Sequence, residues 1–479
     1  MIADLKPYPS MKESGVPWLG GVPEPWAVGR LKSSVSNLIE QTAEREDADL
    51  YVALEHVESW TGRLSPAGLD VEFDSQVKRF RSGDVLFGKL RPYLAKVTRP
   101  RSGGVCVGEF FVLRPRTSSV APSYLEHMLR SKPIIDAINS STFGAKMPRA
   151  NWQFVGGLSV TLPPLPEQAA IVRFLDHMDR RIRRYIHAKQ NLIKLLEEQK
   201  QAIIHRAVTR GLDPNVRLKP SGVEWLGDVP EHWELRRLRY AVEMRVSNVD
   251  KHKKEDEVPV RLCNYVDVYK NERITDRLSF MWATATRDEI ASFRLECGDI
   301  LITKDSEMWN DIGVPALVEY TALDLVCGYH LAMLRPRKGL MDSGYLLRAL
   351  QSPAIAYQFH ISANGVTRYG LSHDAIKSVV LPVPPFPEQS AIIRFLDEAT
   401  VDLDRARNSA EREISLLREY RTRLIADVVT GKLDVREAAD KLPDHPEELE
   451  AFKDAETTES DDTADEAEIS AVVETGEDN

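Results

Sequence analysis

The sequence predicts an α+β chain written twice: two similar α/β heads separated by two long antiparallel helices that form a coiled coil, with a pseudo-two-fold internal repeat. Three observations carry this. PPLPEQAAIVRFLD at 163–176 returns as PPFPEQSAIIRFLD at 384–397 with 11 identities in 14. SGVPWLGGVPEPW at 14–26 returns as SGVEWLGDVPEHW at 221–233 with 10 identities in 13. After each PEQ phrase the chain carries no proline or glycine until Gly211 and Gly431.

The first head spans 1–162 and the second 214–383. Within them GDVLFGK (83–89) returns as GDILITK (298–304), and LRPR (113–116) returns at 334–337. The repeat offset drifts from 207 to 215 to 221, so the middle of each repeat tolerates insertions and its ends do not. Runs such as VLFGKL, VCVGEFFVLRP and LVCGYHLAMLRP read as strands, and PSYLEHMLRS reads as a helix.

Spacer helices follow each head, at 163–213 and 384–434. Pro166 and Pro387 suit a first helical turn, and Glu167 and Glu388 suit the positive end of the helix dipole. Each helix is expected to run about 43 residues and about 65 Å. Ile171, Leu175, Met178, Ile182, Tyr185, Lys189, Leu192, Leu196, Gln199 and Ile203 step 4-3-4-3. Ile392, Leu396, Ala399, Leu403, Ala406, Ala410, Glu413, Leu417, Tyr420 and Leu424 repeat the pattern, as a heptad seam does. A compact second head would return the chain to where the first helix stopped, so the helices are expected antiparallel. The heads would then sit at opposite ends of a two-helix rod.

The net charge of −10 conceals an asymmetry. Residues 444–479 alone carry −14, which leaves +4 for the rest. A tail from 435 to 479 therefore reads as acidic and disordered. It is either solubilising or a DNA-mimicking or partner-docking segment. No apolar run suits a signal peptide or a membrane span. Cys106, Cys263, Cys297 and Cys327 show no metal or disulfide spacing and read as buried thiols of a cytoplasmic protein.

The doubled Pro-x-Pro-Glu-Gln helix start, the helix ends VTRGLD and VTGKLD, and the doubled SGVxWLGxVPxxW lead-in resemble the specificity subunit of type I restriction–modification systems, over about residues 10–435. The resemblance implies that the heads are target-recognition domains, each reading one half of a bipartite double-stranded DNA target. It implies that the helices set the gap and dock two methylation subunits, with restriction subunits joining that core. The chain would not be catalytic and would hold no cofactor. S-adenosylmethionine, ATP and Mg would belong to the partner subunits, whose adenine methylation and ATP-dependent restriction it directs. The acidic tail is outside the family pattern.

Candidate DNA contacts in the first head are Lys89, Arg91, Tyr93 and Lys96 in FGKLRPYLAK, and Lys146 and Arg149 in FGAKMPRANW. In the second they are Lys304, Trp309, Arg368, Tyr369 and His373. Lys and Arg suit phosphates, and Arg suits guanine edges. The alternative for each is a solvated loop. The nearby Asp305, Glu307, Asp311 and Asp374 weaken a purely electrostatic case and could accept from cytosine. Glu167, Gln168, Arg173, Glu388, Gln389 and Arg394 at the helix starts are candidates for partner docking. Trp18, Trp26, Trp225 and Trp233 read as packing residues more than base-stacking ones. Arg180, Arg181, Arg183 and Arg184 form a solvated face or a docking patch.

No catalytic motif is legible. VPPF (383–386) lacks the Asn or Asp of an amino-methyltransferase loop, and TGKL (430–433) lacks the frame of a phosphate-binding loop. No metal site is legible either. The competing readings are a coiled-coil scaffold that reads no DNA, a decayed specificity subunit, and an enzyme acting on DNA by itself.

Overall fold

Both heads are entered and left through one ribbon. In the first, Ala27–Arg30 pairs antiparallel with Ser159–Leu162, the last strand before the long helix. In the second, Glu234–Arg237 pairs the same way with Val380–Val383. The computed structural model describes residues 5–42, 49–65, 76–142, 144 and 147–443. It divides into two compact units, 1–188 with 412–479 and 189–411.

The main sheet of the first head runs Val35–Leu38, Phe110–Pro115, Val85–Gly88, Val97–Thr98. The second head repeats this order as Val242–Val246, Leu331–Pro336, Ile300–Thr303, Pro315–Val318, and adds Arg273–Ile274 at the edge. The central strands VLFG and ILIT are buried at every position, which is why they read as unbroken apolar runs. The second sheets diverge. In the first head Gly104–Cys106 lies between Val77–Phe80 and Leu50–Val52. In the second Leu325–Cys327 is an edge strand beside Val258–Cys263. The run VCVGEFFVLRP thus supplies two strands to two different sheets, broken at the turn before Phe110.

The long helices are α1, Leu165–Arg210, of 46 residues, and α2, Phe386–Val429, of 44. Each gives its first half to one unit and its second half to the other. They run antiparallel within each unit. In one, Asp179 of α1 lies 3.6 Å from Arg421 of α2, and Thr161, just before α1, donates to the Val429 carbonyl at the end of α2. In the other, Lys200 bonds Asp404 at 2.8 Å, and Glu197 meets Arg407 at 4.0 Å.

The seam departs from strict heptads. Tyr185 and Leu192, expected inside, are 53% and 40% exposed, and Gln199 is exposed too. Ile186, Ile193 and Lys200 are the half-buried residues instead. On α2, Arg407 and Ile414 likewise replace Ala406 and Glu413, and Arg421 is buried beside Tyr420, which stays half-buried against the core. Both helices therefore step 4-3-4-4-3-4-3-4-3, with the extra four-residue step at Ile182–Ile186 and Leu403–Arg407. Such a stutter locally unwinds a left-handed coiled coil.

Each helix ends on a left-handed glycine, Gly211 (φ 72°) and Gly431 (φ 77°). A Cβ on Gly431 would come 2.2 Å from Pro23, so only glycine lets the helix end close against the Trp26 wall. The tail does not begin at 435. Val435, Ala439 and Leu442 are buried, and Arg436–Asp440 is a helix packed in the first unit. The expected disorder of 444–479 falls outside the described residues. Cys106, Cys263 and Cys327 are buried, whereas Cys297 is exposed. Among the described residues no helix is long and apolar enough to cross a membrane.

Candidate nucleic-acid interface

The same backbone joint occurs in both heads. In the first, Lys89 follows the central strand. Its N–H donates to the Glu109 carbonyl at 2.8 Å, and its carbonyl accepts from the Ala150 N–H at 2.9 Å. In the second, the Lys304 N–H donates to the His330 carbonyl at 3.0 Å, and its carbonyl accepts from the Leu371 N–H at 2.8 Å. One residue beyond each junction loop, Asn151 and Ser372 cap short helices, accepting from Gln153 N and Ala375 N. A strand end, the turn before the neighbouring strand and the loop before the last helix are thus tied together twice in one geometry.

The side chains on that joint differ. In the first head the Lys89 ammonium lies 5.8 Å from the Phe111 ring centre, and Phe111 packs on Trp152. Arg149 is exposed and pairs with Glu109 at 3.3 Å. Arg91 takes a left-handed φ of 48° and donates its N–H to the Pro148 carbonyl, binding the two candidate segments together. Tyr93 is half-buried. Lys96 is only 8% exposed, which corrects its placement as a contact residue. A lysine reaching a phosphate needs its ammonium in solvent. Lys146 lies outside the described residues.

In the second head Asp305 is the hub. One carboxylate oxygen meets His330 Nδ1 at 2.7 Å and the other accepts from the Arg368 guanidinium at 2.9 Å. Lys304 and Tyr369 are half-buried, Trp309 is 48% exposed beside His360, and His373 is exposed. Tyr265 stacks on Tyr269 at 5.5 Å and meets the edge of His330. Burial pushes the Tyr265 hydroxyl above its ordinary value, against a hydrogen bond from Ser306, so it stays a neutral donor. Glu109, His330, Tyr265 and Tyr329 were not singled out from the sequence. Extending the register of LRPR back along the strand sets VGEF (107–110) on GYHL (328–331) and would have drawn attention to Glu109, Tyr329 and His330, since divergence falls there inside a matching frame.

The helix-start candidates are placed differently from expectation. Gln168 is fully buried: its amide oxygen accepts from Ala121 N, and its amide nitrogen donates to the Ser119 and Pro163 carbonyls. Gln389 repeats all three bonds with Asp342 N, Leu340 O and Pro384 O. Glu167 is buried and accepts from Tyr8 and Trp26. Glu388 meets His232 at 2.8 Å, and Arg173 donates to the Leu442 carbonyl. The PEQ phrase is therefore an internal latch between helix and head, because a buried amide with its bonds spent inside offers nothing to a partner. Arg394 alone of the six is exposed. Trp26 and Trp233 are core residues, while Trp18 and Trp225 are 37% and 38% exposed.

Part of the chain is 29% identical over 131 residues to the type I restriction enzyme EcoDI specificity subunit of Escherichia coli, covering 27% of this chain and 29% of that one. A stretch of 207 residues is 25% identical to the putative type I restriction enzyme MjaX specificity subunit of Methanocaldococcus jannaschii, covering 43% and 47%. This chain is a relative of type I restriction enzyme specificity subunits. The aligned stretch spans less than half the length of either relative. No family model matches the chain. Its fold is that of a solved chain from work on complex assembly and conformational transition of the type I R-M system, with a TM-score of 0.59 and 21% identity, covering 86% of this chain and 99% of that one.

Proposed function

We propose that this relative of the type I specificity subunits binds double-stranded DNA sequence-specifically, each head reading one half of a bipartite target. The observation that carries the proposal is the duplicated joint. One backbone frame presents Lys89, Arg149 and the half-buried Trp152 in one head, and Lys304, Arg368, Tyr265 and His330 in the other. A fixed frame with divergent polar and aromatic side chains suits two unlike half-sites. The long helices set the gap between half-sites and carry two methylation subunits, with restriction subunits joining through that core. The chain performs no catalysis itself and directs adenine methylation and ATP-dependent restriction by its partners, whose subunits hold S-adenosylmethionine, ATP and Mg. Selecting duplexes from a random library with the full chain bound to its methylation partner tests this. Two short specified blocks around a fixed unspecified run are expected. Equal binding to all sequences at physiological salt would refute it. A scaffold that reads no DNA predicts instead that neutralising Lys89 and Arg149 leaves complex function intact.

A further inference from the structure

Arg368 is held differently from a phosphate-binding cation. Its guanidinium is more than half exposed, yet one terminal nitrogen is tied to Asp305. Asp305 is 18% exposed and is fixed in turn by His330 on its other oxygen and by backbone pairing of its own residue with Gly370. That same guanidinium nitrogen also lies 3.4 Å from His330 Nδ1. The remaining guanidinium nitrogens have no hydrogen-bond partner among the described residues. The carboxylate offsets the charge that would make a lysine-like phosphate contact strong. What remains is a planar fork in a defined orientation, which is what bidentate pairing with guanine O6 and N7 needs. Tyr265 and Tyr329 wall the His330 side of the cluster, with ring centres 6.4 and 3.6 Å from His330.

We propose that Arg368 reads a guanine in the half-site of the second head, and that Asp305 and His330 are positioning residues that hold its fork for that base. The inference rests on DNA reading by the heads. It adds the base, the reader and its holders. Arg149 on Glu109 is the corresponding tether in the first head, formed from the other strand and exposed to a similar degree.

The test uses the full chain with its methylation partner and the same random-duplex selection on wild type, Arg368→Ala, Arg368→Lys and Asp305→Asn. Wild type should specify a G·C pair in one block. Arg368→Ala should lower the preference at that pair roughly 5- to 150-fold and leave the other block unchanged. Arg368→Lys should not restore it, since a point charge lacks the fork. Asp305→Asn should weaken discrimination at the same pair while overall affinity holds or rises, because an acid has been removed from a DNA-facing surface. Two results overturn the proposal while leaving DNA reading in place: uniform loss across all sequences in Arg368→Ala, or Asp305→Asn that raises affinity with discrimination intact. A wild-type complex without any motif would instead remove DNA reading itself, and this inference with it.

Discussion

Replacing Gln168 by leucine keeps the side-chain volume and removes the amide. Three backbone groups lose their partner: Ala121 N–H, Ser119 C=O and Pro163 C=O. An orphaned buried polar group costs about 1–3 kcal/mol. Ala121 and Ser119 are partly exposed and regain some hydration, whereas Pro163 is buried. The loss should be about 3 kcal/mol. For a unit of this size, that lowers the midpoint by roughly 6–12 °C. Gln168 lies in the unit 1–188 with 412–479, and Gln389, with the same three bonds, lies in 189–411. Calorimetry of the full chain should therefore show Gln168→Leu depressing one transition and Gln389→Leu the other. Size-exclusion with the proposed methylation subunit should show assembly by the folded variants unchanged. A loss below about 1 kcal/mol together with failed assembly would refute the latch and return these residues to docking.

Gly431→Ala should cost several kcal/mol, since a left-handed Cβ meets Pro23, while Gly20→Ala at a similar φ in open space should cost only about 1–2 kcal/mol; chemical denaturation compares them. Truncation after Asp434 should destabilise the first unit by about 3–5 kcal/mol relative to truncation after Pro443, because Val435 and Leu442 lose their burial; thermal unfolding of the pair checks it. Burial acts to raise the Glu272 carboxyl, but Arg348, Lys200, Gln351 and Arg273 outweigh it and hold it below its ordinary value. Its contribution should be complete above about pH 4.3 and vanish as pH falls through the lower folded value, so wild type and Glu272→Gln should converge in acid and separate to a plateau by about pH 5. A heptad inserted after both Gln190 and Glu411 adds about 10 Å of helix, and the gap in the DNA motif should widen or binding should be lost; an unchanged gap would refute the spacer role.

The duplication, the two helices and the α+β heads were legible because they depend on local residue pattern. The phase of the seam was not. Tyr185 and Leu192 are apolar and fit a heptad, and nothing local says that Lys200 and Arg421 lie inward. Lys200 does so because Glu272 and Asp404 meet it there, and Arg421 because Asp179 does. The PEQ latch was misread as a surface because the partners of Gln168 include Ser119 and Ala121, far away in sequence. In the heads the basic loops were found, but the acids and rings that orient them were not. Pairing Arg368 with Asp305, or Arg149 with Glu109, requires the fold that brings loop to strand end.

The most direct measurement is to co-express this chain with the proposed methylation subunit in a methylation-free host and map modified adenines across the genome. Two short specified blocks at a fixed separation, present only when this chain is present, are the expected result. A stable complex that modifies no motif would contradict sequence reading by the two heads.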